Sequence, residues 1–228
     1  MKIAIMQPTY FPWAGYFSLI NHVDSFVFLD NVQFDRRSWQ QRNQIAYKDK
    51  KMWITVPVKK KNLINQLISE VKIEDKEFKK KHLKKIYHSY SKSQYFNIIY
   101  PLIEKIFEED FQYLSNLNKK IIKEICNFLK INTKLISAKK LNAKGKKIFL
   151  LSNICKELKA DEYVAVQGSK VYMEDHSEFK EKGILVKFYE YDQKSYSRGK
   201  NSFIPHLSIL DLLFYKGPEA KGLIINEK

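Results

Sequence analysis

Cysteine, glycine and proline are all scarce in this chain. Two Cys among 228 residues are too few for a disulfide framework. Seven Gly and six Pro exclude a fibrous or linker-like protein, and 44% hydrophobic residues are enough for a packed core. No apolar run reaches the roughly 18 residues of a membrane span, and the apolar start of the chain is too short for a signal peptide. We therefore expect a soluble, cytoplasmic protein without a membrane span.

Acidic residues are also few: the chain has 25 Asp and Glu but 41 Lys and Arg, which gives a net charge of +16. The excess lies in residues 48–150, which hold 25 Lys against 10 acidic residues. This segment is either a surface for nucleic acid, acidic lipid or an acidic carrier protein, or a solvated face of Lys-rich helices. Arginine is rare, and its scarcity disfavours nucleic-acid recognition. The clustering of Arg36, Arg37 and Arg42 indicates positions that need a planar, bidentate cation.

Hydrophobic periodicity predicts strands and helices that alternate at both ends of the chain, with a helical block between. The predicted strands cover 2–6, 25–29, 134–138, 162–166 and 184–190, and the predicted helices 13–22, 76–108, 113–130, 147–159, 171–181 and 208–215. A β-hairpin is predicted within 44–58, and a mobile tail after Pro218. The predicted fold class is α/β, a mostly parallel Rossmann-like sheet with a Lys-rich helical insertion. Residues 1–75 form its N-terminal α/β segment, 76–133 the insertion, and 134–228 a C-terminal segment that completes the same domain.

Two dense segments follow the first two predicted strands, where open α/β sheets bind ligands. The first holds Gln7, Tyr10, Trp13 and Tyr16. Its aromatic rings suit stacking on a sugar or base, unless they simply cap the sheet. The second segment, 30–43, suits recognition of phosphate or carboxylate, unless it is an ordinary surface loop. Its candidate residues are Asp30, Gln33, Arg37, Ser38, Arg42 and Asn43.

Further candidate site residues are a histidine in the Lys-rich segment and two polar residues after a predicted strand. His82 lies among lysines that should lower its pKa and keep it neutral, as a general base must be, unless it is a surface histidine on a basic helix. Gln167 and Ser169 follow the strand 162–166. We predict ligand binding for both, with Gln167 preferred, since Gln-Gly-Ser is not the Gly-x-Ser-x-Gly of a nucleophile elbow. No Cys/His spacing matches a zinc site, so no metal is predicted.

The motifs QPTYFPWAGYF, DNVQFDRRSWQQRNQI, WITVPV and FIPHLSILDLLFYKG together resemble the WbqC-like proteins over nearly the whole chain. The resemblance implies a part in bacterial O-antigen or capsule biosynthesis. The implied enzyme is a transferase that forms an amide between an acyl or aminoacyl group and the amine of a nucleotide-linked sugar. The positions that match the motifs are Gln7, Tyr10, Pro12, Trp13, Gly15, Tyr16, Asp30, Gln33, Arg37, Ser38, Trp39, Arg42, Asn43, His82 and Asp211.

In this interpretation His82 or Asp30 takes the proton of the attacking amine, while Arg37 and Arg42 hold the diphosphate. No cofactor is required, and the acyl donor is a carrier-protein or CoA thioester. An acidic carrier would dock on the Lys-rich segment. The alternatives are a non-catalytic protein that binds sugar nucleotides or polysaccharide and, less favoured, a nucleic-acid binder.

Overall fold

Strands and helices alternate along the chain, as the hydrophobic pattern predicts. The computed structural model describes residues 1–59, 63, 65–172 and 176–225. In chain order the elements are β1 (Lys2–Met6), α1 (Ala14–His22), β2 (Ser25–Phe28), β3 (Arg42–Tyr47), β4 (Lys50–Thr55), α2 (Phe78–Tyr90), α3 (Phe96–Glu108), α4 (Leu114–Phe128), β5 (Lys134–Ser137), α5 (Lys147–Glu157), β6 (Glu162–Val166), α6 (Ser177–Lys180), β7 (Leu185–Tyr189), α7 (Ile209–Lys216) and α8 (Ala220–Ile224). Short 3-10 helices cover Ile68–Glu70, Ala138–Lys140, Gln167–Tyr172 and Gly217–Glu219.

The main sheet has the strand order β5-β2-β1-β6-β7 within the described residues, and its pairings are parallel. β1 lies at the centre, with Ile3 opposite Ser25 of β2 on one side and Tyr163 of β6 on the other. The chain builds outward from β1 to β5 and then returns to β6, so the direction of winding reverses between β1 and β6. The α/β class and the Rossmann-like arrangement are thus confirmed, and the reversal marks the switch point where such sheets bind ligands.

Helices cover both faces of the sheet because its central strands are apolar on both sides. In β1, Ile3 and Ile5 pack into the cluster that holds Leu150 of α5 and Phe179 of α6. Ala4 packs into the other cluster, which contains residues of α1, α4 and α7. Successive side chains of a strand point to opposite faces, so a continuous apolar run is what a strand between two helical layers requires.

Helices α2, α3 and α4, which lie in the Lys-rich segment 48–150, share one hydrophobic cluster with α1, β2 and the β3–β4 hairpin. The single helix predicted over 76–108 is wrong, because the chain breaks between Tyr90 and Phe96. There the backbone N–H of Tyr95 donates to the carbonyl of Phe214 (3.0 Å), which fixes the break against α7. Pro101 lies inside α3. The division of the chain into a domain and an insertion stays a prediction.

The C-terminal part differs from the pattern in two places. The helix predicted over 171–181 is only the short α6 in the described residues, and 173–175 lie outside them. The tail after Pro218 is packed as far as residue 225, because α8 places Ala220 and Ile224 in the core with both side chains buried; 226–228 lie outside the described residues. In the parts of the chain that the structure describes, no helix combines the length and the apolarity needed to cross a bilayer.

Candidate functional site

A cavity of about 600 Å³ opens at the switch point of the sheet. Its walls come from the carboxyl ends of β1, β2 and β6 and from the start of α5. The lining residues are Ile5, Met6, Gln7, Thr9, Leu29, Val32, Ser38, Trp39, Gln40, Lys147, Ile148, Leu150, Leu151, Tyr163, Val166 and Ser169. We call this the switch-point cavity. Both segments that the sequence analysis singled out contribute to it, at the sheet edge where they were expected to meet.

A smaller cavity of about 250 Å³ adjoins the first, and half of its lining residues are aromatic. Its lining residues are Met6, Thr9, Pro12, Trp13, Tyr16, Trp39, Asn43 and His206. We call it the aromatic cavity. It shares Met6, Thr9 and Trp39 with the switch-point cavity, so the two are neighbouring compartments of one cleft.

The proline-rich turn after β1 is held by backbone hydrogen bonds to distant segments. The Asn43 amide donates to the carbonyls of Tyr10 (3.1 Å) and Phe11 (2.8 Å). The N–H of Tyr10 donates to the carbonyl of Trp39 (2.9 Å), and that of Ile209 to the carbonyl of Pro12 (2.9 Å). Asn43 is itself buried, so its main role is to fix the turn that carries the aromatic residues.

Trp13 is placed by a glycine and by two rings from the C-terminal part of the chain. A Cβ atom at Gly15 would lie 2.4 Å from the Trp13 indole, so only glycine lets that ring lie over the start of α1. The edges of Trp13 meet Tyr191 and His206, with ring centroids at 5.5 and 5.2 Å. The sequence analysis assigned no role to His206, although it lies in the motif FIPHLSILDLLFYKG. The isolated bridge between Trp13 and Ser208 brings that motif to the cleft.

Gln7 and the loop before β3 are joined through a second glutamine. The amide of Gln40 donates to Oε1 of Gln7 (2.8 Å), and the Tyr16 hydroxyl donates to the Gln7 carbonyl (3.0 Å). Asn118 of α4, which sequence reasoning missed, donates from one buried amide to the carbonyls of Pro8 (3.1 Å) and Gln40 (2.7 Å). The cleft wall therefore depends on a residue of the Lys-rich helices.

Asp30 is fully buried and its carboxylate is saturated by protein donors. It accepts from the Lys119 ammonium (2.8 Å), the Ser137 hydroxyl (2.6 Å) and the backbone N–H of Lys139 (3.0 Å). Burial alone would raise the pKa of Asp30, but these donors outweigh it and hold the pKa below its ordinary value. A carboxylate with a lowered pKa and no exposed surface is poorly placed to take a proton from a substrate, so its catalytic role lacks geometric support.

His82 also lies in the core. It is 4% exposed, and its Nδ1 is 2.8 Å from the Tyr10 hydroxyl, which is itself fully buried. Burial is the main cause that lowers the pKa of His82 to about 3, with a smaller contribution from the charge of Lys85. The sequence analysis predicted that the pKa of His82 is lowered, and this direction agrees. It attributed the shift to neighbouring lysines, whereas burial is the dominant cause. His82 and Tyr10 do not line either compartment of the cleft, and the assignment of His82 as a base stays a prediction without support from this geometry.

The other predicted binding residues divide between the cleft and the surface. Gln7, Trp13, Tyr16, Ser38, Asn43 and Ser169 line one compartment or the other. Ser169 is buried and its hydroxyl donates to the Val166 carbonyl (2.6 Å). Gln167 belongs to the 3-10 helix after β6, outside the lining set. Gln33 is exposed and donates to Asn65 (3.2 Å).

Neither arginine proposed for a diphosphate lines the cleft. Arg37 is exposed in a left-handed backbone conformation, φ 61°. The Arg42 guanidinium lies over the Trp53 ring, 4.3 Å from its centroid, and its buried Nε has no hydrogen-bond partner. Arg198 forms a buried ion pair with Asp211, at 3.0 Å from Nε to Oδ2. Asp211, a motif position, therefore anchors Arg198 and the Tyr196 hydroxyl (2.7 Å) to α7.

Lysines line two further cavities beside β5, of about 300 and 370 Å³. Lys119 lines both cavities, and Lys72 and Lys139 line one while Lys120, Lys123 and Lys140 line the other. Glu70 is the one carboxylate among their described lining residues. We call this the lysine groove, and it gives part of the excess charge of residues 48–150 a definite location.

The described residues hold no group of three or more His, Cys, Asp and Glu side chains that could bind a metal ion. Cys126 and Cys155 are both buried and unpaired, and burial raises the pKa of each thiol to about 12. A thiol in this state is a core side chain and not a nucleophile.

Comparison with known proteins agrees with the motifs of the cleft. The model of the WbqC-like protein family matches residues 7–222. The chain belongs to the WbqC-like family. The chain is also 37% identical over 221 residues to the uncharacterized protein Rv1507c of Mycobacterium tuberculosis (strain ATCC 25618 / H37Rv), with 96% of this chain and 95% of that protein covered. No solved structure matches the chain. The matched range includes both segments that build the cleft.

Proposed function

We propose that this protein transfers an acyl or aminoacyl group to the amine of a nucleotide-linked sugar in the biosynthesis of bacterial surface polysaccharide. The observation that carries the proposal is the two-compartment cleft at the switch point between β1 and β6. That place in a parallel sheet is where nucleotide ligands bind, and aromatic walls with polar tips suit sugars and bases. The choice of reaction rests on the family context.

His206 replaces His82 and Asp30 as our candidate proton acceptor. It is exposed, it lines the aromatic cavity, and Gln193 Oε1 accepts from its backbone N–H (2.9 Å). As the sugar amine attacks the carbonyl carbon of a thioester, the imidazole takes the amine proton. The new C–N bond forms, the C–S bond breaks, and the departing sulfur carries the electron pair and receives a proton. No cofactor beyond the thioester donor is needed.

The donor would be a carrier-protein or CoA thioester, and the lysine groove is the complementary surface for either. A carrier protein with acidic helices and the phosphates of CoA both carry negative charge that the lysines of the groove attract, although Lys119 is already paired with Asp30 and Lys120 with Glu109 and Glu124. A non-catalytic sugar-nucleotide-binding protein is the second candidate, favoured by the burial of both predicted proton acceptors.

The test is to incubate the protein with nucleotide-linked amino sugars and acyl or aminoacyl thioesters and to search for the amide product by mass spectrometry. We expect a product with the native chain and a loss of about 10²-fold or more in rate for His206→Ala, the range of general acid–base catalysis. Binding of the sugar nucleotide without product from any donor would favour the non-catalytic candidate.

A further inference from the structure

Trp39 exposes a large apolar ring inside the cleft. It is 51% exposed, although large aromatic side chains normally contribute most when buried. Trp39 lines both the switch-point and the aromatic cavity, so part of its exposed surface faces the cleft. A large apolar ring left open within a cavity marks a place where a ligand completes the packing.

The backbone beneath Trp39 is held firmly, so its exposure is built into the fold. The Ser38 hydroxyl donates to the Asp35 carbonyl (2.7 Å), and the Arg37 N–H donates to Oε1 of Gln41 (3.3 Å). The Trp39 carbonyl accepts from Tyr10 in the core. These bonds define a tight loop that presents the indole to the cleft.

A second aromatic ring and a cation support Trp39 from one side. The Trp53 ring centroid lies 5.5 Å from that of Trp39, with 35° between the planes. The Arg42 guanidinium lies over Trp53. Arg42 contacts Trp53, and Trp53 contacts Trp39. These contacts restrict the Trp39 side chain before a ligand binds. A preorganised aromatic surface lowers the entropy that binding must overcome.

We propose that Trp39 is the stacking platform for the nucleobase of the ligand, with the base in the switch-point cavity and the sugar in the aromatic cavity. The proposal rests on the proposed function, from which it takes the class of ligand. The switch-point cavity is walled largely by aliphatic side chains, among them Ile5, Leu29 and Ile148, which suit the faces of a flat ring. The aromatic cavity adds Asn43 and His206, whose polar atoms suit sugar hydroxyls.

Binding of nucleoside diphosphates tests the platform without any transfer reaction. We would measure the affinities of uridine, thymidine, guanosine and cytidine diphosphates by isothermal titration calorimetry. All three tryptophans border the cleft or its support, so quenching of intrinsic fluorescence gives a second readout. Trp39→Ala should weaken the best diphosphate about tenfold or more, as expected when one base–aromatic stack is lost, and Trp39→Phe should retain most of the affinity.

The matched control is Tyr47→Ala, which removes a similarly exposed aromatic ring (46%) from β3, the strand that follows the Trp39 loop, but lies outside both cavities. It should leave the affinity unchanged. Trp13→Ala should spare the diphosphate and weaken the complete sugar nucleotide, since Trp13 lines only the aromatic cavity. Circular dichroism would confirm that each variant folds.

Three results would overturn the platform: no diphosphate binds the native chain, Trp39→Ala binds diphosphates as well as the native chain does, or Trp39→Ala weakens a sugar 1-phosphate and not the diphosphates. Self-association abolished by Trp39→Ala with unchanged ligand affinity would identify a protein interface instead. Trp39-dependent binding without any amide product would refute the proposed reaction alone. Amide formation undiminished by Trp39→Ala would refute the platform alone.

Discussion

Replacing His82 by Asn tests whether this histidine is a core residue or a base at the cleft. In the folded protein its pKa is lowered to about 3, mainly by burial, whereas an unfolded chain has a histidine pKa of about 6.5. Below pH 6.5 the unfolded state therefore binds a proton that the folded state excludes. The native chain should lose stability as the pH falls through this window.

The magnitude follows from the size of that shift. Each pH unit below about 6.5 costs about 1.4 kcal/mol, so the loss from His82 between about pH 7.5 and pH 4.5 is about 2.5 kcal/mol. For a chain of this size that corresponds to a fall of roughly 5–10 °C in the midpoint of thermal unfolding. Asn keeps an acceptor near the Nδ1 position, so the Tyr10 hydroxyl retains a partner while the titrating group is gone.

The assay is urea unfolding followed by circular dichroism at several pH values, for the native chain and His82→Asn. The variant should start less stable by about 1–3 kcal/mol because ring packing is lost, and the gap should close as the pH falls. Carboxylates titrate equally in both chains, so the difference between the curves isolates His82. Parallel curves would show that His82 protonates freely in the folded protein and would refute the burial argument.

The remaining predictions concern the buried ion pair, the glycine of the motif and nucleic acid. Arg198→Met should destabilise the chain by about 3–5 kcal/mol in urea unfolding because it leaves Asp211 buried and unpaired, and adding Asp211→Leu should restore much of the loss. If the double variant is no more stable than the single one, the pair does not act as a unit. Gly15→Ala should displace the Trp13 indole and weaken sugar-nucleotide binding in calorimetry, although alanine favours helices by about 1 kcal/mol. At about 150 mM salt, gel-shift assays should detect no specific duplex DNA binding, and retained binding with a steep salt dependence would count against the cleft as the main site.

The sequence predicts the fold well because its signals are local. The apolar runs of β1 and β6, for example, need only their own residues to indicate strands buried on both faces. The position of the cleft follows as well, since the carboxyl ends of β1 and β2 must meet at one edge of a parallel sheet. That is how Gln7, Trp13 and Ser38 could be placed together in advance.

The roles of buried polar residues were harder to predict. His82 had a usable signal, because it stands four residues from both Phe78 and Ile86, on the buried face of α2, while lysines fill the opposite face. Asp30 had no such signal in the sequence. Its partners Lys119 and Ser137 are 89 and 107 residues away, and only the folded chain brings them together. His206 is even more remote in sequence from Trp13, so its place in the cleft could not be predicted from local pattern.

Asn118 has a consequence for the order in which the chain folds. Its single side chain holds carbonyls of both motif segments, across sequence separations of 110 and 78 residues. While the chain is being synthesised, the turn after β1 and the loop before β3 lack this donor until α4 emerges and docks. The binding cleft is therefore a late product of folding. Removal of the Lys-rich helices should leave the carbonyls of Pro8 and Gln40 without this shared donor.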